Sequence, residues 1–308
     1  MSTARRWIIG RGLLGRAVER VRDDEAFTAP LPWADPDRTI ETAAAALTEF
    51  SAFDGPLEIY WCAGRGVTST PREQLAVEDS VFERFLGLVR DSPASVRGRL
   101  TFFLASSVGG AYAGAALPPF TESTPPASLS AYGDTKLRME LALTEATESG
   151  GWRSFVGRIT NLYGAGQDLS KPQGLISALV RGHLSGQPTS VYVPLDTLRD
   201  YIYEDDCAAV IDAGMRRLRD APAGTTVMKL IGAMRAVSIG ALLAELSRLR
   251  RRRGPIVLGG GDPRGQALDL RIRSEVWTDL DGLVRTTLPD GLSRVFQAQL
   301  QGRANPPR

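Results

Sequence analysis

The segment RRWIIGRGLLG, residues 5–15, gives the clearest indication of the fold class of this chain. A short apolar run typical of a buried strand leads into a glycine-rich turn, and a helical pattern over 13–22 begins inside that turn. Glycines let the chain turn tightly and let backbone N–H groups at the start of the helix approach a pyrophosphate. An ordinary tight turn gives the same pattern. If the stretch binds a dinucleotide, the residues that hold it are Gly10, Arg11, Gly12, Leu13, Leu14 and Gly15.

The alternation of strand and helix continues along the chain. We predict strands at 5–9, 26–31, 57–62, 99–105, 153–159 and 226–231, and helices at 13–22, 36–50, 71–90, 129–149, 173–184, 205–218 and 238–252. This order predicts an α/β protein with a doubly wound parallel sheet, a Rossmann fold, of about six or seven strands. Residues 1–175, with the strand near 226–231, are predicted to form the dinucleotide-binding domain. Residues 176–308 are predicted to form a smaller, mostly helical substrate-binding lobe.

The composition is that of a packed globular protein and narrows the class of partner. Of 308 residues, 43% are hydrophobic and 23% charged, with a formal net charge of +2. So small a charge argues against nucleic acid or an anionic membrane as the main partner, and favours a small molecule. No apolar segment is long enough to span a membrane.

Cysteine and histidine usage excludes several kinds of chemistry. Cys62 and Cys207 lie far apart, so the chain has neither a disulfide framework nor a four-thiolate zinc site, and two free thiols suit the cytoplasm. His183 is the single histidine, which excludes histidine-paired hydrolases and multi-histidine metal sites. We therefore predict no metal, and acid–base chemistry that uses carboxylates, lysine, tyrosine or a cofactor.

Two further motifs carry candidate chemistry. Tyr132 and Lys136 are four residues apart at the start of a predicted helix and so share one face. A neighbouring ammonium favours the phenolate and brings a phenol toward the range of a working base. Ser106 and Ser107 end the strand at 99–105, where a hydroxyl can donate to a substrate oxygen. Each motif alone also fits ordinary turn or helix-start chemistry.

Together these motifs resemble those of extended short-chain dehydrogenase/reductases of the NAD-dependent epimerase/dehydratase group, most of which act on nucleotide-activated sugars. The resemblance runs from the glycine loop to about residue 212. Besides Tyr132 and Lys136 it rests on three segments, Cys62-Ala63-Gly64, RITNLYG at 158–164 and LRDYIYEDD at 198–206.

The resemblance implies a role for each candidate residue. Tyr132 is the acid and base, and Lys136 holds the nicotinamide ribose. Ser107, which lies 25 residues before Tyr132, binds the reacting oxygen. Asn161 faces the substrate and Arg199 grips the nucleotide diphosphate, while Cys62, Ala63 and Gly64 border the cofactor. Asn161 is also compatible with a turn cap, and Arg199 with an ion pair to Asp200 or Asp206.

The adenosine end departs from the family pattern. Ile9 stands where the first glycine is expected, and only one helix fits between the strands at 26–31 and 57–62. The strand and helix that normally border the adenine are therefore missing or shortened. Asp35 lies at the distance expected of a residue that reads the ribose hydroxyls of NAD. Arg11 instead favours the 2′-phosphate of NADP, so both cofactors stay open.

Two reactions fit the resemblance. Val108 and Gly109 occupy the places where sugar dehydratases of the family carry an acidic pair. This leaves oxidation and re-reduction of one sugar carbon, as in an epimerase, or reduction of a keto-sugar nucleotide by NADPH. A non-catalytic dinucleotide sensor is a third, less favoured function.

The resemblance also implies a homodimer formed through the helices at 71–90 and 129–149. In the first of these helices an apolar stripe serves either the interface or the core. Its members are Val77, Phe82, Phe85 and Leu86.

Overall fold

The computed structural model describes residues 4–167, 174–251, 254–259 and 267–304. The strands are β1 (Arg5–Ile9), β2 (Leu57–Trp61), β3 (Leu100–Ser107), β4 (Arg153–Ile159), β5 (Asn161–Tyr163), β6 (Thr189–Val191), β7 (Leu198–Arg199), β8 (Tyr201–Tyr203), β9 (Thr226–Ile231), β10 (Val237–Ser238) and β11 (Ile256–Leu258). The helices are α1 (Leu13–Arg20), α2 (Pro36–Ser51), α3 (Arg72–Asp91), α4 (Ala94–Arg97), α5 (Val108–Tyr112), α6 (Ala131–Gly150), α7 (Leu175–Ser185), α8 (Glu204–Leu218), α9 (Ile239–Arg250) and α10 (Leu288–Ala304), with a 3₁₀-helix at Thr278–Leu283.

A parallel sheet forms the centre of the molecule, which confirms the predicted fold class. Its order is β1-β2-β3-β4-β9. The strand near 226–231 returns to it beside β4, as predicted. Within the described ranges the sheet has five strands, so the expected six or seven was wrong. The predicted strand at 26–31 forms only one bridge, between Phe27 and Trp7, because Pro30 and Pro32 lack the N–H groups that a longer ladder requires.

Helices cover both faces of the sheet. On one face, α2, α3 and α6 pack over Trp7, Trp61 and Phe102, and on the other α1 and α8 pack over Tyr60 and Phe103. The strands are buried and mostly apolar, as expected where a parallel sheet is covered on both sides, although each also buries one or two polar or charged side chains.

The apolar stripe of α3 belongs mainly to this core. Phe82, Phe85 and Leu86 are buried in the cluster between the sheet and its helices, whereas Val77 is 48% exposed. The stripe therefore does not supply a ready-made apolar dimer interface, which was one of its two predicted uses.

A separate apolar cluster lies beyond the sheet, where α7, α9 and α10 pack together around Leu179, Leu242 and Leu292. Sequence patterns did not predict α10. The guanidinium of Arg250, the last residue of α9, lies 3.9 Å from the ring centroid of Phe296 in that helix, so this arginine packs against α10. The division of the chain at residue 175 stays a prediction.

The segment after residue 267 returns to the sheet and helps to form the site. Ile272 bridges Phe120 beside α5. The buried ammonium of Lys229 in β9 bonds to Ser274, Val276 and Asp281, each at 2.7 Å. Ala267 and Leu270 of the same segment line a cavity together with Ser107 at the end of β3. None of the helices in the described ranges combines the length and apolar composition needed to cross a bilayer.

Candidate active site

The glycine loop after β1 packs so closely that only glycine fits at two of its positions. A Cβ on Gly10, whose φ is +92°, would lie 2.3 Å from the backbone nitrogen of Ala63. A Cβ on Gly15 would lie 2.1 Å from the carbonyl oxygen of Gly10. The loop is thereby seated against the end of β2.

The middle glycine of the loop faces open space. Gly12 is the N-cap residue of α1 and provides no side-chain cap, and a Cβ placed on it would meet nothing within 4 Å. The first N–H groups of a helix have no partners inside the helix, and they favour an anion. Room at Gly12 beside these groups fits the pyrophosphate of a dinucleotide.

Both residues predicted to contact the adenosine ribose already have hydrogen-bond partners within the protein. Arg11 bonds to both carboxylate oxygens of Glu19, at 2.7 and 2.8 Å. Asp35 caps α2, where its Oδ1 accepts hydrogen bonds from the backbone N–H groups of Asp37 and Arg38, both at 3.1 Å. Because both side chains bond to the protein itself, these contacts do not indicate whether the site prefers NAD or NADP.

Ser107, Tyr132 and Lys136 come together around one cavity of about 180 Å³. The same cavity is lined by the segment after β2, with Cys62, Ala63 and Gly64, and by Leu14 of the glycine loop. Segments that are far apart in the sequence therefore converge at the carboxyl ends of β1, β2 and β3, where ligands bind in open α/β sheets. The catalytic and binding roles of these residues remain predictions.

Close packing between α5 and α6 brings Ser107 and Tyr132 together. A Cβ on Gly133 would lie 2.2 Å from the carbonyl oxygen of Gly110. A Cβ on Gly110 would lie 3.3 Å from Ser107 Cβ and 3.4 Å from Tyr132 Cε1. The two helices approach this closely only because both contact residues are glycines, and no sequence motif had indicated that contact.

The structure also separates the two adjacent serines. Ser107 caps α5 by accepting a hydrogen bond from Gly110 N at 3.1 Å, which leaves its hydroxyl proton available to donate. Ser106 is buried and donates to Glu140, a carboxylate that is paired with Arg158 at 2.6 Å. Ser106 is therefore committed to an internal network, which supports the choice of Ser107.

Lys136 is buried and has a carboxylate partner. Its Nζ lies 3.3 Å from Oε1 of Glu78 in α3 and 5.8 Å from the centroid of the Tyr132 ring. Burial lowers the pKa of Lys136, but Tyr132 and Glu78 together outweigh it, so the pKa lies above the ordinary lysine value. The ammonium is therefore charged at neutral pH. Glu78 belongs to none of the motifs that were read from the sequence.

Cys62 lines the cavity that Ser107, Tyr132 and Lys136 share, and its thiol is mainly protonated at neutral pH. Burial raises its pKa to about 12, although the nearby Lys136 acts in the opposite direction. The thiolate is the nucleophilic form of cysteine, so this side chain contributes to the cavity wall rather than to acid–base chemistry.

Two further cavities adjoin these residues, with volumes of about 230 Å³ and 480 Å³. Both are lined by Thr160, Asn161 and Arg199, and Ser107 lines the smaller one and Tyr132 the larger. Pairing between β5 and β8 fixes Asn161, whose side-chain amide donates to the carbonyl oxygen of Asp200 at 2.8 Å.

Arg199 does not form the ion pair that its position in the sequence also allowed. Asp200 accepts hydrogen bonds from the N–H groups of Ala233 and Arg235, and Asp206 accepts one from Thr286, all at 2.7 Å. Within the described residues Arg199 has no salt bridge, and its Nη1 donates to the carbonyl oxygen of Leu198 at 2.9 Å. Burial lowers its pKa from the ordinary arginine value. An arginine of this kind in a cleft fits an anionic ligand.

Carboxylates are absent from the walls of these three cavities, as far as the described residues define them. Val108 is buried and Gly109 has no side chain, so neither supplies an acid or a base beside Ser107. In the described ranges no cluster of histidine, cysteine and carboxylate side chains is suited to a metal ion. Tyr132 is thus the best placed group for proton transfer.

Sequence comparison identifies the class of protein that this fold and site define. Residues 16–228 match the profile of the NAD dependent epimerase/dehydratase family. The chain belongs to this family, a group of extended short-chain dehydrogenase/reductase enzymes. The match begins immediately after the glycine loop. No curated protein sequence matches the chain.

Solved structures with the same fold include epimerases and a dehydratase. MoeE5 in complex with UDP-glucose and NAD is 21% identical, with a TM-score of 0.81 over 97% of this chain and 99% of that one. UDP-glucose 4-epimerase from Thermotoga maritima is 16% identical, with a TM-score of 0.80 over 98% and 100%. The NDP-hexosamine 5,6-dehydratase TunA is 16% identical, with a TM-score of 0.67 over 82% and 79%. These likenesses establish the fold and leave the reaction open.

Proposed function

We propose that this enzyme is an NAD(P)-dependent nucleotide-sugar epimerase that oxidises and re-reduces one sugar carbon. The observation that carries the proposal is the convergence of Ser107, Tyr132 and Lys136 on one cavity beside a second that contains Arg199 and Asn161. The absence of a carboxylate from the described walls of these cavities speaks against dehydration, which needs an additional acid and base.

The protein residues would divide the proton chemistry between them. Tyr132 would take the proton of the sugar hydroxyl and return it when the carbon is reduced again. The ammonium of Lys136 favours the phenolate of Tyr132, and Ser107 would donate a hydrogen bond to the reacting oxygen. A bound nicotinamide would supply the hydride acceptor and donor.

The fit of the glycine loop supports a dinucleotide cofactor. Gly10, Gly12 and Gly15 would admit the pyrophosphate, with Arg11, Leu13 and Leu14 beside it. Cys62, Ala63, Gly64 and Lys136 would border the nicotinamide half. The pairing of Arg11 with Glu19 weakens the argument for NADP, and NAD is present in the MoeE5 complex. We therefore favour NAD.

The substrate is proposed to be a nucleotide sugar. Arg199 would bind the diphosphate in a bidentate manner, and Asn161 would contact the sugar. The larger cavity also has Tyr192, Val193 and Tyr201 in its wall, surfaces against which a nucleobase can pack. The structures of MoeE5 and of the Thermotoga maritima enzyme both contain UDP-glucose, which makes UDP-sugars the first compounds to test.

A cytoplasmic homodimer formed through α3 and α6 is part of the proposal. Both cysteines are unpaired, as expected in a reducing compartment. Val77 on α3 and Leu141 on α6 are exposed apolar residues on the two helices concerned. Much of the rest of these surfaces is charged, which predicts a weaker or more polar interface than the sequence stripe implied.

Two measurements test the function. The nucleotide that co-purifies with the protein is identified by mass, and the protein is then incubated with UDP-glucose or UDP-glucuronic acid while the sugar is followed by NMR. Bound NAD with interconversion of two sugars, and no added nucleotide, is the expected result. Consumption of NADPH with net reduction would assign the reductase instead. Dinucleotide binding without turnover on any nucleotide sugar would favour the sensor.

A further inference from the structure

Glu78 reaches the candidate active site from α3, outside every motif that defines the site. Its Oε1 lies 3.3 Å from Lys136 Nζ. Its Oε2 accepts hydrogen bonds from the backbone N–H groups of Arg65 and Gly66, at 3.2 and 3.4 Å. The side chains of Glu78 and Lys136 are only 17% and 6% exposed. One carboxylate thus joins the lysine to the turn that follows β2.

The surrounding glycines show how tightly this carboxylate is fitted. A Cβ on Gly64 would lie 2.6 Å from Glu78 Oε1 and 3.3 Å from Lys136 Nζ. A Cβ on Gly66 would lie 3.5 Å from Glu78 Oε2 and 3.3 Å from Tyr132 Cδ2. The 64–66 turn therefore packs against both Glu78 and the Tyr132–Lys136 pair, and a side chain at Gly64 would collide with the Glu78 carboxylate.

We propose that Glu78 is a positioning residue that holds Lys136 and the 64–66 turn in place and sets the net charge experienced by Tyr132. The proposal rests on the proposed role of Tyr132 as the acid and base. An ammonium near a phenol favours the phenolate, whereas a carboxylate near it disfavours the phenolate. Because Glu78 is paired with Lys136, part of the effect of the lysine on Tyr132 is offset.

Two other titratable groups, one on α6 and one at the end of β2, interact electrostatically with Lys136. From α6, Glu140 acts on Lys136, but its carboxylate is already paired with Arg158 of β4. At the end of β2, Cys62 stays protonated because burial raises the pKa of its thiol. Removal of the Glu78 charge is therefore expected to let Tyr132 ionise at lower pH.

The test is an ultraviolet titration of phenolate in the full-length protein with its co-purified nucleotide. The Tyr132 signal is the difference between each protein and the same protein carrying Tyr132→Phe. We expect Glu78→Gln to lower the midpoint of this signal by about half a pH unit or more. The acidic limb of kcat/KM against pH should move the same way. Glu83→Gln, an exposed carboxylate on the same helix, is the matched control and should leave both unchanged.

Further variants separate a charge effect from a structural one. Glu78→Asp keeps the charge and should hold the midpoint near that of the parent while turnover falls, because the contact to Lys136 is displaced. Glu78→Ser also removes the charge and replaces Glu78→Gln if that protein does not fold. An unchanged Tyr132 midpoint in a folded, charge-removed variant would overturn the proposal. Failure of both charge-removed variants to fold would overturn it in favour of a purely structural role.

The outcomes distinguish this inference from the proposed function. A parent protein that does not act on nucleotide sugars, but whose Tyr132 midpoint falls on Glu78→Gln, would refute the epimerase and keep the electrostatic role of Glu78. A parent that epimerises, with a midpoint that Glu78→Gln does not move, would refute only Glu78.

Discussion

The two halves of the proposed dinucleotide site differ in how firmly their residues are held in place. At the nicotinamide end, Ser107, Tyr132 and Lys136 are held by helix caps, a glycine contact and a buried ion pair. At the adenosine end the sheet stops at β1, with a single bridge to Phe27 beyond it. Proton transfer requires a geometry that is fixed to within a fraction of an ångström. The end of a cofactor that is remote from the reaction can be bound by fewer strands and helices.

The largest expected effect is at the nicotinamide end. Tyr132→Phe should reduce turnover by about 10²- to 10⁴-fold, the usual contribution of a general acid and base. Dinucleotide affinity should change by less than about twofold, since a single hydroxyl is removed away from the glycine loop. Steady-state kinetics and calorimetric titration measure the two quantities. Turnover within tenfold of the parent would remove Tyr132 from the chemistry.

Gly133→Ala tests whether the contact between α5 and α6 sets the geometry. Its Cβ would collide with the carbonyl oxygen of Gly110 and push Tyr132 away from Ser107. We expect turnover to fall and the free energy of unfolding to drop by about 1–3 kcal/mol, as for overpacked cores. Chemical denaturation and kinetics measure the change. Gly87→Ala on α3, where an added Cβ meets nothing within 4 Å, is the control. Parent-like values for both variants would show that this contact does not set the geometry.

A pair of loop variants tests the pyrophosphate contact. Gly12→Ala should leave stability near that of the parent, because its Cβ enters open space. It should weaken dinucleotide binding about tenfold, equivalent to about 1.4 kcal/mol, by occupying the approach to the helix N-terminus. Gly15→Ala should instead lower the melting temperature through its clash with Gly10. Thermal unfolding and calorimetry separate the two effects, and equal binding by Gly12→Ala and the parent would argue against a pyrophosphate at this position.

The smallest effect is expected at Arg11. Its side chain is 53% exposed and paired with Glu19, and exposed ion pairs are usually worth about 0–1 kcal/mol. Arg11→Ala should therefore change the affinities for NAD and NADP by less than about fivefold. Both are measured by titration of the same preparation. A loss of NADP affinity of tenfold or more would mean that Arg11 leaves Glu19 to bind a phosphate, and would restore the case for NADP.

The sequence was most informative where strands are buried on both faces. The bounds of β1, β4 and β9 were predicted to the residue, because each strand has the cluster of apolar, β-branched or aromatic residues that is typical of a buried strand. The strand predicted at 26–31 does not form a ladder, because Pro30 has no N–H group to donate to a neighbouring strand. Helix α10 was not predicted; Pro289 lies in its first turn, where a proline removes no intrahelical hydrogen bond.

The candidate site was predictable to the extent that its residues are linked by local spacing. Tyr132 and Lys136 are one helical turn apart and Ser106 and Ser107 follow a strand, so local pattern marked them as candidates, and the family resemblance chose Ser107 and assigned the roles. Glu78 was not predictable, because its relation to Lys136 depends on how α3 packs beside α6. The commitments of Arg11 to Glu19 and of Asp35 to the α2 N-terminus likewise arise from contacts that spacing does not encode.

The bridge at Phe27 has a consequence for the behaviour of the protein in solution. A sheet that loses its outer strands ordinarily exposes unpaired backbone groups that invite aggregation. Here Phe27 N bonds to the carbonyl oxygen of Arg6 at 2.7 Å, and its ring packs edge-on against Trp7 beneath the guanidinium of Arg5. A short irregular segment with one aromatic residue and a cation thus covers part of the β1 edge, where it would hinder pairing with another chain.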